Sequence, residues 1–135
     1  MIAETLFKIG KELFSIFSNL EEKRLQRTIR VAEYFSQLAQ IIEDTSAYLK
    51  QGEYPHGECE NLRVHATKMQ QTIGDLVGAD EAKIYADRVM QVWEIEAMHG
   101  ELIGVDEAEK NEKLKILDAS AGYFRGISAH LRVTS

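Results

Sequence analysis

Apolar residues recur along this chain at intervals of three and four, the spacing that lines one face of an α-helix. In the opening segment Ile2, Leu6, Ile9, Leu13, Ile16 and Leu20 keep it without interruption. A second segment carries Leu25, Ile29, Ala32, Phe35, Leu38, Ala39, Ile42 and Leu49, flanked by Tyr34, Ile41 and Tyr48, and stops at Gly52. Glycine readily takes the left-handed conformation that closes a helix. At 1.5 Å per residue this second helix would reach roughly 45 Å, which makes it the expected spine of the fold. Between the two, Ser18 and Asn19 are each followed three residues later by a glutamate, Glu21 or Glu22. These are two capping boxes at which the chain restarts or bends.

The same spacing continues to the end. Cys59, Leu62, Ala66, Met69, Ile73 and Leu76 mark a third helix ended by Gly78. Asp80 is a suitable N-cap for a fourth, with Ala82, Tyr85, Val89, Val92 and Trp93 inward and Gly100 as its stop. After the turn "ELIGV", Asp106 caps a last helix bearing Leu114, Leu117, Ala121, Phe124, Ile127 and Leu131. No segment alternates apolar and polar residues as a strand does. The pattern predicts an all-α fold, an antiparallel helical bundle of four to five helices with one long central helix. At 135 residues it forms a single domain, 1–135.

Charge narrows the choice of partner. The net charge is −6, and the excess lies in the second part of the chain, since residues 1–50 hold seven basic and seven acidic residues while residues 51–135 hold nine and fifteen. Nucleic-acid affinity rests on Lys and Arg meeting phosphates, so an acidic chain is a poor ligand for it. The one basic cluster, Lys23, Arg24, Arg27 and Arg30, reads as a solvated helix face beside Glu21 and Glu22. No apolar run approaches the ~20 residues that span a bilayer. A single cysteine cannot form an internal disulfide, and the first residues lack a basic start and a small-residue cleavage site. The expected location is cytoplasmic.

Candidate chemistry gathers in two places. "EYPHGEC", Glu53–Cys59, holds the only proline, the only cysteine and one of four histidines. It reads first as a helix-to-helix corner, because proline is favoured in the first turn of a helix. His56 and Cys59, three residues apart on one helix face, would also suit a nucleophile with its base, or a metal or small-ligand site completed by His65 and by His99 or His130. In "EIEAMHG", Glu96 and His99 have the Glu-x-x-His spacing of di-iron bundles, which need two such motifs and two further glutamates. Only one such spacing falls inside a predicted helix. There is no glycine-rich phosphate loop, Walker lysine or nucleophile elbow, and no cofactor is expected.

Two features exceed what a simple bundle needs. Phe7, Phe14 and Phe17 widen the apolar face of the first helix beyond the usual stripe. In "ASAGYFRGISAH", Ala119, Gly122, Gly126 and Ala129 form a small-residue stripe, and glycine inside a helix costs about 1 kcal/mol relative to alanine. Such a stripe lets another helix approach closely. Together these features predict a non-enzymatic interaction or assembly module that self-associates or binds a partner protein through apolar helix faces. The alternatives are a small-ligand or metal-binding bundle using His56, Cys59 and His65, and peripheral membrane association through the amphipathic first helix, whose Lys8 and Lys11 are balanced by Glu4 and Glu12.

Overall fold

A computed structural model describes residues 2–19, 28–91 and 93–134. The described residues form six helices and no strand: α1 (Ile2–Ser18), α2 (Thr28–Lys50), α3 (His56–Val77), α4 (Ala79–Val89), α5 (Trp93–Leu102) and α6 (Glu107–Thr134). The all-α bundle expected from spacing is the observed fold, with one helix more than expected. The capping boxes of Ser18 and Asn19, the start of the second helix at Leu25, the basic residues Lys23, Arg24 and Arg27, and Val92 lie at least partly outside the described residues.

The extra helix arises where one continuous helix from Asp80 to Gly100 was expected. Ala82, Tyr85, Ala86 and Val89 form the buried stripe of α4, and Ile95, Met98 and Leu102 that of α5. At 100° per residue, the six-residue step from Val89 to Ile95 leaves the two stripes about 120° out of register. One straight rod could not bury both. The chain tightens instead, with Gln91 N–H donating to the Arg88 carbonyl at 3.2 Å, and a separate helix begins at Trp93. α5 then runs through Gly100 to Leu102, and the reversal falls at Gly104, whose φ is +88°.

Two predicted caps fare differently. The Asp106 carboxylate accepts the Glu109 backbone N–H at 2.8 Å and caps α6 as its sequence position implies. α4 begins one residue before Asp80, directly after Gly78 (φ +100°), without a side-chain cap. Asp80 and Glu81 fall in its first turn, where their charge favours the helix dipole.

Helix directions follow from side-chain pairs. Glu43 meets Arg125 and Lys50 meets Asp118, so α2 and α6 run antiparallel. Gly10 lies against Tyr123 and Phe14 against Gly126, so α1 and α6 run parallel. Among the described residues α6, with 28, is the longest helix, and it packs against both α1 and α2, so it shares the central place expected of the second helix. α3 lies along the other side of α2 and turns back into α4, which touches α1.

Among the described residues the core matches the predicted stripes closely, although Ile16 and Leu76 are only partly buried and two positions differ outright. Ile29, placed on the inner face of the second helix by spacing, is 64% exposed. Phe17, assigned by spacing to the widened face, is fully buried. Its ring meets Phe35 edge-on at 5.3 Å, and Phe35 stacks on Phe124 at 6.0 Å, so three aromatic rings from α1, α2 and α6 tie the centre together. Edge-to-face and offset aromatic pairs contribute roughly 0.5–1.5 kcal/mol beyond the area they bury.

Candidate functional site

Two regions hold the residues that the sequence singles out. The first is the outer face of the α1–α6 seam. Phe7 meets Tyr123 edge-on at 5.3 Å, and Phe14 tilts against the same ring at 5.9 Å, so Tyr123 bridges two phenylalanines two turns apart. Phe14 is 36% exposed and lies over Gly126: a β-carbon there would come within 2.9 Å of the Phe14 ring. Gly122 stands in open space, and Ala119 and Ala129 beside it are exposed. Phe7, Phe14, Gly122 and Gly126, chosen on separate grounds, thus sit on one surface, while Phe17 belongs to the core. The tight backbone approach of the seam lies elsewhere, at Gly10, where an added β-carbon would stand 3.0 Å from Tyr123 Cβ and 3.4 Å from the Ser120 carbonyl. Spacing alone did not single out Gly10. Its signal was a lone glycine inside an unbroken apolar stripe, the position where close packing is needed.

The second region is a cleft of about 450 Å³ between the α2–α3 corner and α5. It brings together the two motifs that lie forty residues apart in the chain. Gly52, with φ +77°, turns the backbone out of α2, and Pro55 then places His56 and Cys59 in the first turn of α3. Glu96 and His99 approach from α5. Tyr54 stands between the two sides: its ring is 4.4 Å from that of His56 and 5.6 Å, edge-on, from that of His99. His99 Nε2–H donates to the Gly52 carbonyl at 3.2 Å, which ties α5 to the corner.

Burial keeps the thiol and the phenol of this cleft neutral. Cys59 Sγ donates to the Tyr54 hydroxyl at 3.8 Å. Burial pushes the Cys59 thiol up, against the opposing effects of Tyr54 and Arg63. A nucleophilic cysteine needs the reverse, a depressed pKa. Burial, then the contact with Cys59, pushes the Tyr54 phenol up to about 12. On the rim Arg63 pairs with Glu60 at 2.6 Å.

His65 is not part of this group. Nine residues beyond His56, it lies on the opposite side of α3 and packs on α2, its ring stacked on Tyr34 at 4.5 Å. The site expected from His56, Cys59 and His65 is therefore not assembled, and Glu96 and His99 are the residues that join His56 and Cys59. Among the described residues no three His, Cys, Asp or Glu side chains gather closely enough to hold a metal ion. Nor is any described helix long and apolar enough to cross a membrane.

No protein-family model, curated protein or solved structure matches this chain.

Proposed function

We propose that the protein is a non-enzymatic assembly module that pairs with a second copy of itself through the outer face of α1 and α6. One observation supports this reading: a partly exposed ring and an open stretch of small residues lie on the same face. Phe14 packs on Tyr123 and Gly126 yet stays 36% exposed, and one turn before Gly126 on α6 Gly122 stands in open space beside the exposed Ala119. A two-fold interface must be self-complementary, so that a knob on one copy meets a hole on the other and the reverse. Phe14 of one chain over Gly122 of its partner meets that requirement, and Tyr123 and Phe7 extend the apolar contact on either side.

The membrane-surface reading has less support. The apolar stripe of α1 is buried against the rest of the bundle, and its exposed positions carry Glu4, Lys8, Lys11 and Glu12. An interfacial helix would keep that stripe for the lipid.

Light scattering over a concentration range tests the proposal. The chain of 15.3 kDa is expected to approach twice that mass on concentration and to return to the single mass on dilution. Phe14→Glu should hold it at the single mass without unfolding it, because the ring is already partly in solvent. A chain that remains at 15.3 kDa throughout overturns self-association. A monomer that captures another protein, and loses it on Phe14→Glu, transfers the face to a partner instead.

A further inference from the structure

We propose that the cleft between the α2–α3 corner and α5 binds a small organic cation, a protonated amine or a guanidinium, with its charged end set between Glu96 and the Tyr54 ring. The cleft has the volume of an ordinary small-molecule site, which runs from about 300 to 1,000 Å³. Its charges select the sign of the ligand. Arg63 is committed to Glu60, and Glu96 makes no ion pair among the described residues, which leaves one carboxylate to be neutralised.

Hydrogen-bonding capacity points the same way. The His99 Nε2–H is spent on the Gly52 carbonyl, and the tautomer that makes this bond carries its ring lone pair at Nδ1. His56 makes a ring contact with Tyr54 and can offer a second ring lone pair. Acceptors therefore outnumber free donors around the opening. A protonated amine supplies two or three N–H donors with the complementary charge, and charge-assisted hydrogen bonds of this kind are roughly twice as strong as neutral ones. Tyr54 adds an aromatic surface, and a cation against an aromatic face gains about 0.5–2 kcal/mol, more as it is desolvated. An anion would find only Arg63, already paired, and would face Glu60 and Glu96. The net charge of −6 on the chain further raises the local concentration of cations.

Calorimetric titration and amide NMR of the whole chain test this, with 1,5-diaminopentane and agmatine as probes and glutarate as an anion of similar length. Both cations should bind saturably and shift the amide signals of residues 54–63 and 96–99. Glu96→Gln should weaken them roughly tenfold, the loss of one charge-assisted contact, while Glu101→Gln, an exposed carboxylate on α5 that does not line the cleft, should leave the affinity unchanged. Glu96 is exposed, so circular dichroism of Glu96→Gln should match that of the parent. The proposal is overturned by any of three results: no saturable binding of either cation up to about 10 mM, equal weakening by Glu96→Gln and Glu101→Gln, or tighter binding of glutarate than of the cations. Failure here leaves the self-association test untouched, since the cleft and the α1–α6 face share no residue.

Discussion

Tyr34 and His65 each bind the other's backbone. The Tyr34 hydroxyl donates to the His65 carbonyl at 2.7 Å, His65 Nε2–H donates to the Tyr34 carbonyl at 3.2 Å, and the two rings stack between them. In a helix interior these carbonyls already accept an intrahelical bond. The side chains use their second lone pairs, and the result is a reciprocal clasp that sets the register of α2 against α3.

The clasp makes stability depend on pH. Burial lowers the His65 pKa from its ordinary 6.5, partly offset by the bond to the Tyr34 carbonyl. The folded state thus favours the neutral ring. Above pH 6.5 the ring is neutral whether the chain is folded or not, and it contributes nothing to the pH dependence. As the pH falls through 6.5 the unfolded chain takes up the proton first, so stability is lost down to the lowered folded value. Urea unfolding at pH 7.5 and pH 5 should therefore show a larger loss for the parent than for His65→Gln, which keeps an N–H donor but does not titrate. Equal losses in both proteins would remove His65 as the cause. Tyr34→Phe, which leaves the His65 carbonyl with its helical bond alone, should cost about 1 kcal/mol at either pH.

Glycine replacements should separate the closed part of the α1–α6 seam from its open part. At Gly122 an alanine methyl meets nothing within 4 Å in its own chain, so in dilute, monomeric protein Gly122→Ala should stabilise by up to about 1 kcal/mol through helix propensity. At Gly10 the same methyl meets Tyr123 Cβ at 3.0 Å, an atom fixed to the backbone, with the Ser120 carbonyl behind it. There the propensity gain should be outweighed by overpacking that typically costs 1–3 kcal/mol. Gly126 falls between them, because the atom in the way is the outer edge of the Phe14 ring, which can swing toward solvent. Melting temperatures measured in parallel decide this: the order expected is Gly122→Ala above the parent and Gly10→Ala below it. A Gly10→Ala protein that melts above the parent would show that the crossing has room to spare.

Two buried serines should respond in opposite directions to loss of the hydroxyl. Ser120 Oγ donates to the Leu117 carbonyl at 2.6 Å. Ser46 Oγ, on α2, is buried without a partner among the described residues. An unsatisfied buried hydroxyl costs about 1–3 kcal/mol, and alanine is the better helix former. Ser46→Ala should raise stability by about 1 kcal/mol, whereas Ser120→Ala should lower it or leave it level. Denaturant midpoints with an unchanged slope provide the comparison. A destabilised Ser46→Ala would point to an ordered water bonded to that hydroxyl.

The sequence by itself determined the helical class and most of the core. Leu38, Ile42, Leu62, Met69, Leu114 and Phe124 are buried where a 3.6-residue period places them, because each helix has only one face to hide. It also determined the turns at Gly52, Gly78 and Gly104, since a positive φ is a property of the local backbone. Tertiary structure decided what periodicity cannot express. A stripe identifies an inner face without naming the helix opposite it, so the packing of Phe17 on Phe35, the clasp of Tyr34 with His65 and the approach of Gly10 to Tyr123 could not be read in advance. The break at Met90 was legible only as a change of phase between two short stripes. The cleft makes the same point for chemistry. Neither His56 and Cys59 nor Glu96 and His99 is a site alone, and they meet because Gly52 and Pro55 turn the chain at the end of α2 while α5 docks on that corner through His99. Local rules act over a few residues, whereas that meeting depends on how every helix between them packs.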